Sequence, residues 1–497
     1  MAAIEQVWNI SDFSGWEADG FYNWPAGSYR MWTWLDTRRV ENGARACNKM
    51  PSQSTYTWVV QAVSEFWDKV YSTYTGTTGK VWQGTSSLTL WSWTAAYDKI
   101  LAFGKMKRTS TGTEYQYWFT ATSSWVGNVH RFDNPVNSWV EYTVGTFTMW
   151  NTRTTWPGIV KMPIISWNGE IMWAYGNTVW KIDGAHTVTQ LLVLPKEWDI
   201  IAITEYQDTY KLYINQYKEG VSAWSADCII AYWAWLASAW ITQDVMYKNS
   251  PVQTVVNDWP VDYAVFGTGY SSDLYVMQWL IRSPLRNNIE YSENNSRILL
   301  TESCILDGII YILGTDKLNN TCIYSYGRHY PWTPNSLVPE NILSSSTMKF
   351  WVSEVGIFVY EGLNIYRKLK EFKAQAATTF TLYTYALRWS AWFYSKKSFK
   401  RIDISYRLFN ASDTLKLYAR INGWPYTANN SGWTLVKTIT WATDIAKMGV
   451  RIDARELAAL NLGDFNQLEY YVEWTNASTD SCILHQIRTT YFDNIAE

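Results

Sequence analysis

The sequence of 497 residues is poor in cysteine and in charge. Its five cysteines are odd in number, widely spaced and without a Cys-x-x-Cys pair, which argues against a disulfide framework or a zinc site. Charged residues make up 17% of the chain, below the roughly 25% of ordinary domains. The net charge is −2 and no block of like charge stands out, so neither nucleic acid nor a membrane is a predicted partner.

Several functional signatures are missing from the sequence. The first ten residues lack a basic segment followed by an apolar one, and no run of about 18 apolar residues occurs, so we predict neither a signal peptide nor a membrane span. The four histidines lack metal-ligand spacing, and there is no nucleophile elbow or phosphate-binding loop. We therefore expect no enzyme activity, no metal and no cofactor. Asp and Glu are common enough to form a glycosidase pair, which keeps that alternative open.

Glycine is scarce and tryptophan is unusually common. The 27 glycines in 497 residues are below the roughly 7% of average proteins, although a turn-rich β protein needs glycine. Of the 33 tryptophans, several occupy turn-like positions: Trp24, Trp259, Trp424 and Trp433. A bulky residue with positive φ costs about 1–2 kcal/mol. We hypothesise that many tryptophans are encoded by UGA codons that the source organism translates as glycine.

Other tryptophans lie in alternating, strand-like sequence and are expected to be authentic. They are Trp82, Trp118, Trp167, Trp173, Trp180 and Trp474. The alternative is that all 33 are authentic and form an aromatic surface that binds sugars.

The composition and turn pattern predict an all-β fold. Tyr, Thr, Ser and Asn are plentiful, which favours short strands and tight turns. The clearest unit, residues 164–183, places Asn168-Gly169 between alternating apolar runs, a strong hairpin signal. Similar units recur about every 40–50 residues, which predicts a β-propeller of six or seven blades. A β-sandwich made of similar hairpins is the alternative.

The last hundred residues have a different pattern of strands and turns. Strict alternation begins at Phe399, and strand-like segments separated by turns such as Asn422-Gly423 continue to the end. This pattern predicts an antiparallel β-sandwich, specifically a jelly roll, with one short helix at 454–460. We predict four regions: an extended arm (1–55), the propeller (56–370), a linker (371–395) and the sandwich (396–497).

Both ends of the chain resemble virion proteins of tailed bacteriophages. The arm carries Phe13-Ser14-Gly15-Trp16, Pro25-Ala26-Gly27 and Asp36-Thr37-Arg38 in the order found in such proteins, and a glycine at position 16 would complete the pattern. Near the other end, Asn422-Gly423 and the run 465–470 match their terminal sandwich. The resemblance implies a structural component of the tail, neck or baseplate, located in the virion and assembled in the host cytoplasm.

The implied partners are other virion structural proteins, and a homo-oligomer is a further expectation. We predict that the arm makes the main contact, because an extended arm gains interface area on assembly. Six residues are the candidate protein interface: Phe13, Tyr22, Tyr29, Leu35, Arg38 and Arg39. The alternative function is a carbohydrate-binding or glycan-cleaving propeller with an appended binding sandwich, as in a receptor-binding tail protein.

Overall fold

The computed structural model describes about two thirds of the chain. The described residues are 4–10, 31–33, 35–36, 44–46, 52–55, 60–66, 69–74, 79–83, 89–93, 99–121, 126–133, 140–149, 162–206, 209–217, 226–233, 243–267, 272–286, 300–315, 321–328, 336–343, 348–353, 356–361, 364–369, 378–383, 396–408, 411–422, 432–440, 448–476 and 482–494.

The described part is almost entirely β-strand, which confirms the all-β prediction. The strands before the repeats are β1 (Ile4–Ile10), β2 (Met31–Thr33), β3 (Leu35–Asp36), β4 (Ala44–Ala46) and β5 (Ser52–Thr55). The next strands are β6 (Val60–Phe66), β7 (Lys69–Tyr74), β8 (Gly79–Gln83), β9 (Thr89–Trp93), β10 (Lys99–Lys107), β11 (Glu114–Ala121), β12 (Val126–Asp133), β13 (Val140–Thr148), β14 (Ile164–Trp167), β15 (Glu170–Tyr175), β16 (Thr178–Ile182) and β17 (Val188–Val193).

They continue with β18 (Trp198–Tyr206), β19 (Thr209–Gln216), β20 (Asp227–Trp233), β21 (Gln243–Tyr247), β22 (Val252–Asp258), β23 (Val261–Gly267), β24 (Ser272–Gln278), β25 (Ile281–Arg286), β26 (Leu300–Leu306), β27 (Ile309–Thr315), β28 (Thr321–Gly327), β29 (Ser336–Leu343), β30 (Met348–Ser353), β31 (Gly356–Glu361) and β32 (Asn364–Leu369). The last elements are β33 (Thr378–Tyr383), β34 (Lys396–Arg407), β35 (Thr414–Ile421), β36 (Thr434–Thr440), β37 (Gly449–Asp453), α1 (Ala454–Ala459), β38 (Asp464–Phe465), β39 (Leu468–Asn476) and β40 (Ile483–Asn494).

Within the described residues, β5 to β32 form seven sheets of four strands. Six of them are consecutive meanders, β6–β9, β10–β13, β14–β17, β18–β21, β22–β25 and β26–β29. In the seventh, the order is β30-β31-β32-β5, so the fourth strand comes from far upstream in the sequence. The first strands of successive sheets contact one another, and β30 also contacts β6. These sheets are arranged like propeller blades.

Two-residue turns connect many of these strands. Asn168 and Gly169 join β14 to β15 with φ values of 49° and 75°, and Asp307-Gly308 repeats the pattern with 52° and 74°. Positive φ at both central residues is the geometry that Asn-Gly and Asp-Gly favour in hairpins. The hairpin predicted at Asn168-Gly169 is therefore confirmed.

Inner strands of these sheets, such as β15 and β20, are buried on both faces. In β15, Ile171, Trp173 and Tyr175 pack toward the sheet β10–β13. The alternate residues Met172 and Ala174 pack toward the sheet β18–β21. Side chains of a strand point alternately to opposite faces, so a sheet packed between two neighbours needs apolar residues at successive positions. This explains the continuous apolar run in β15.

The last strands form two facing sheets. One has the order β2-β33-β39-β35-β36, and the other has β3-β4-β40-β34-β37, with β1 on β40 and β38 on β34. Their inward residues share one core that includes Ile404, Leu417, Trp474 and Ile487. This is a two-layer antiparallel arrangement, and its jelly-roll connectivity stays a prediction.

The predicted short helix is confirmed as α1. Its N-cap residue, Asp453, accepts hydrogen bonds from the backbone N–H groups of Arg455 and Glu456 at 2.9 Å each. The Glu456 carboxylate in turn accepts from the Asp453 N–H at 3.0 Å, which completes a capping box. Leu457 is fully buried and anchors the helix on the sandwich core.

The chain divides into two compact units. One comprises Pro51–Thr321 and Ser344–Lys368, and the other comprises Met1–Met50, Cys322–Leu343 and Leu369–Glu497. The structure places strands β1 to β5 in the range predicted as an arm and β33 in the range predicted as a linker. The described residues contain no helix that is both long and apolar enough to span a bilayer.

Candidate functional site

A polar stripe runs along β19 between two neighbouring sheets. The side chains of Lys211, Tyr213 and Asn215 alternate along the strand and reach the sheet β22–β25. The Asn215 amide donates to the Val252 carbonyl at 2.9 Å, and its oxygen accepts from the Val252 N–H at 2.9 Å. Lys211 and Tyr213 both reach Asp262. The stripe ties the two sheets together through polar contacts in an otherwise apolar layer.

Asp262 is the centre of this cluster. Its Oδ2 lies 2.6 Å from Lys211 Nζ and accepts hydrogen bonds from Tyr213 Oη at 2.6 Å and Thr204 Oγ1 at 3.0 Å. Its Oδ1 accepts from Asn257 Nδ2 at 2.7 Å. Burial, and then the Asp262 charge, raise the pKa of Tyr213 well above its ordinary value, so the phenol remains a neutral donor.

Aromatic rings enclose the Lys211 ammonium. Its Nζ lies 5.5 Å from the ring centroid of Tyr206, 5.7 Å from that of Tyr213 and 5.9 Å from that of Tyr232. The side chains of Lys211 and Asp262 are each only 1% exposed. A substrate has no access to a pair buried to this degree, so the cluster acts as an internal clamp between sheets.

Two tryptophans lie at the exposed end of the same sheet. Trp259-Pro260 joins β22 to β23, and Trp279-Leu280 joins β24 to β25. Because the four strands form a meander, both turns lie at one end, two strand spacings or about 10 Å apart. Trp259 is 65% exposed and Trp279 is 40% exposed. The Trp279 ring stacks on Tyr232 at 4.6 Å, above the Lys211 clamp.

The backbone of Trp279 is unusual. Its φ is 56°, while the next residue, Leu280, is not in the left-handed region. Positive φ at only the first residue of a two-residue hairpin loop is the type II′ pattern, where glycine is usual. The other described non-glycine residues with positive φ are types that tolerate it: Asn168, His186, Asn249, Asp307, Asn422 and Asn461. Position 279 therefore favours glycine. Trp259 and Trp433, two of the tryptophans placed at glycine-like turns by the sequence, are not in the left-handed region, so the recoding hypothesis stays a prediction.

We expect glycine at position 279 to stabilise the protein relative to alanine. Trp279→Gly and Trp279→Ala both remove the indole, so the lost contact with Tyr232 cancels in the comparison. The alanine variant retains the steric cost of positive φ and should be less stable by about 1–2 kcal/mol. Denaturant unfolding of the two variants measures the difference.

The matched control is the neighbouring exposed residue Gln278, whose φ is not positive. At that position the order should reverse, because glycine there only adds freedom to the unfolded chain, at about 0.4–1 kcal/mol. Equal stability of the alanine and glycine variants at 279 would contradict the assignment.

The tryptophans predicted to be authentic behave differently where their side chains are described. Trp118, Trp173, Trp180 and Trp474 are at most 8% exposed and lie within strands. Trp173 and Trp180 oppose each other across β15 and β16, with ring centroids 6.5 Å apart. Trp167 is partly buried, and the Trp82 side chain lies outside the described residues. These four buried tryptophans differ from Trp259 and Trp279, which are exposed at turns. Trp433, also at a turn, is partly buried and its ring centroid lies 5.8 Å from that of Tyr471.

The six predicted interface residues lie outside the described part of the structure, except for the backbone of Leu35. Phe13, Tyr22, Tyr29, Arg38 and Arg39 lie outside the described residues. Leu35 lies in β3, where its backbone pairs with Ala46, and its side chain is outside the description.

The described part of the chain contains no group of three or more His, Cys, Asp or Glu side chains that could hold a metal ion. Sequence reasoning missed Lys211 and Asp262. The available signal was a lysine at an otherwise apolar position within β19.

Comparisons with known proteins identify no family. No protein-family model matches the chain, and no curated protein matches it. Similar solved structures include a catalytically inactive virginiamycin B lyase from Staphylococcus aureus, with 10% identity, a TM-score of 0.39 and coverage of 64% of this chain and 97% of that one. An exo-β-1,3-galactanase from Phanerochaete chrysosporium has 9% identity and a TM-score of 0.30, covering 89% and 100%.

The computationally designed Ika8 protein has 10% identity and a TM-score of 0.35, covering 67% of this chain and 86% of that one. At such scores the likenesses carry no argument about activity. The propeller-like description rests on the sheet layout of the chain itself.

Proposed function

We propose that the seven four-stranded sheets close into a seven-bladed ring. β5 immediately precedes β6, the first strand of the first sheet, yet pairs with β32 in the last one. The contact between β30 and β6 supports the same closure. For the last strands we propose a jelly roll, supported by the nested pairs β34–β40 and β35–β39 in facing sheets.

We propose that the chain is a non-enzymatic structural component of a tailed-phage virion, in the tail, neck or baseplate. The observation that carries this is the use of buried charge: the Lys211–Asp262 pair, only 1% exposed, fastens one sheet to the next. A rigid scaffold is what such a clamp provides. The resemblance of both chain ends to virion proteins supports the setting, and other virion proteins are the partners.

The experiment tests the arm residues in particle assembly. Replacing Arg38 and Arg39 by Glu reverses two charges at the predicted interface. We expect a folded chain that no longer enters particles, because like charges facing across an interface cost several kcal/mol. Mass spectrometry of purified particles measures incorporation. Substitution is preferred to deletion of the arm because β1 pairs with β40.

The control reverses two lysines of the propeller-like unit, Lys196 and Lys248, which are both exposed. Circular dichroism must show that all variants are folded. Normal incorporation of the Arg38 and Arg39 variant would show that these residues are not the contact.

Glycan recognition is the second candidate function. The exposed Trp259 and Trp279 at one end of a sheet favour it, because exposed aromatic rings with one apolar face and one polar edge suit recognition. A glycan array probed with the unmodified chain and with the Trp259→Ala variant tests for glycan recognition. Binding that the substitution removes would favour this function over the scaffold.

A further inference from the structure

β1 is an edge strand that pairs along its whole length with one neighbouring strand, β40. Its seven residues pair with β40 from Ile4↔Asp493 to Ile10↔Ile487. Among the described strands, β1 pairs with β40 alone, so its other edge has no strand partner there. Within the described residues, β40 therefore supplies all of the backbone pairing that holds β1 in the sheet.

The inward face of β1 carries the apolar anchors. Trp8 and Ile10 pack against the sandwich core, and the Trp8 ring stacks on Tyr470 at 5.5 Å with an interplanar angle of 15°. An aromatic pair of this kind stabilises the strand beyond the effect of its buried area. The anchors give β1 one register on β40, because a slip of one residue would turn Trp8 to the outside.

The outward face of β1 is held by polar contacts. Glu5 Oε2 lies 2.6 Å from Lys400 Nζ, and Gln486 Nε2 donates to Asn9 Oδ1 at 2.6 Å. The Glu5 and Lys400 side chains are 47% and 39% exposed, and solvent screens such an ion pair, so it adds little to stability. These polar contacts favour the observed register of β1 on β40. Little stability is lost when they break.

We propose that β1 is exchangeable between copies of this chain, so that β1 of one copy occupies the β40 edge of the next. The strand pairing and the Trp8 stacking that hold β1 come from the sandwich, and a second copy offers the same contacts. Twenty residues, 11–30, separate β1 from β2, and a chain of that length spans at most about 66–72 Å. Exchange of one identical element is a low-cost route from monomers to oligomers. This inference rests on the proposed function for its setting, since assembly brings copies together.

The test uses two full-length chains with one introduced cysteine each. Asn9 and Arg488 are opposed in the β1–β40 register and both are exposed. Asn9→Cys and Arg488→Cys are prepared separately, both with Cys47→Ser, then mixed and oxidised. The four cysteines that the structure describes are buried. We expect a disulfide-linked dimer on a non-reducing gel, lost when a peptide of residues 1–12 is added in excess.

The control mixes Asn9→Cys with Arg451→Cys, an exposed position on β37, away from the β1 edge, and should give no dimer. In the double variant Asn9→Cys, Arg488→Cys, pairing of β1 with β40 of the same chain is detected as an internal disulfide. An internal disulfide in that variant, together with no dimer from the mixed chains before or after joint refolding, would overturn the exchange. That outcome leaves the incorporation test of Arg38 and Arg39 unaffected, so the two failures are distinguishable.

Discussion

Asp262→Ala will lower the free energy of unfolding of the propeller-like unit by about 3–5 kcal/mol, because it leaves the Lys211 charge buried and unpaired. Tyr213 and Thr204 lose their acceptor in the same step. Chemical denaturation followed by tryptophan fluorescence measures the change.

A double variant separates the charge from the packing. Lys211→Met with Asp262→Leu removes both charges, and replacing a buried ion pair by apolar residues is often nearly neutral. We expect the double variant to be more stable than Asp262→Ala alone. Arg451→Ala breaks an exposed pair with Asp403 and should cost at most about 1 kcal/mol. If the Lys211 and Asp262 substitutions each change the free energy of unfolding only slightly, and their effects simply add in the double variant, the clamp contributes nothing to stability.

A disulfide between β5 and β32 will stabilise the propeller-like unit strongly. Thr55 and Asn364 are opposed in the register, and they are 309 residues apart in sequence (364 − 55). Closing so long a loop removes much entropy from the unfolded chain, and the expected gain is about 4–5 kcal/mol. Thr55→Cys with Asn364→Cys should oxidise spontaneously and raise the midpoint of unfolding, which reduction reverses.

Thr55→Cys with Lys368→Cys is the matched control. Position 368 is four residues along β32, about 13 Å further on, and a disulfide cannot bridge that distance. If the control pair oxidises as readily as the designed pair, β5 does not occupy the last sheet in the stated register.

Local signals in the sequence predicted much of the fold. Asn168-Gly169 marked its hairpin, and the alternation that begins at Phe399 lies within β34. The helix at 454–460 was predicted within one residue of α1. Each of these elements depends on residues close together in the chain, which is why sequence patterns reveal them.

The partners of the early strands could not be predicted. β1 pairs with β40 and β5 pairs with β32, and nothing in their short sequences specifies strands hundreds of residues away. The clamp was missed for the same reason, because Lys211 and Asp262 meet only after two sheets pack face to face. Long-range pairing is decided by the packing of whole sheets.

Quantitative mass spectrometry of purified native particles from the source of this sequence tests the proposed virion role. We expect peptides of this chain in a fixed ratio to other structural proteins of the particle. A chain that is abundant in the infected host but absent from purified particles would contradict that role.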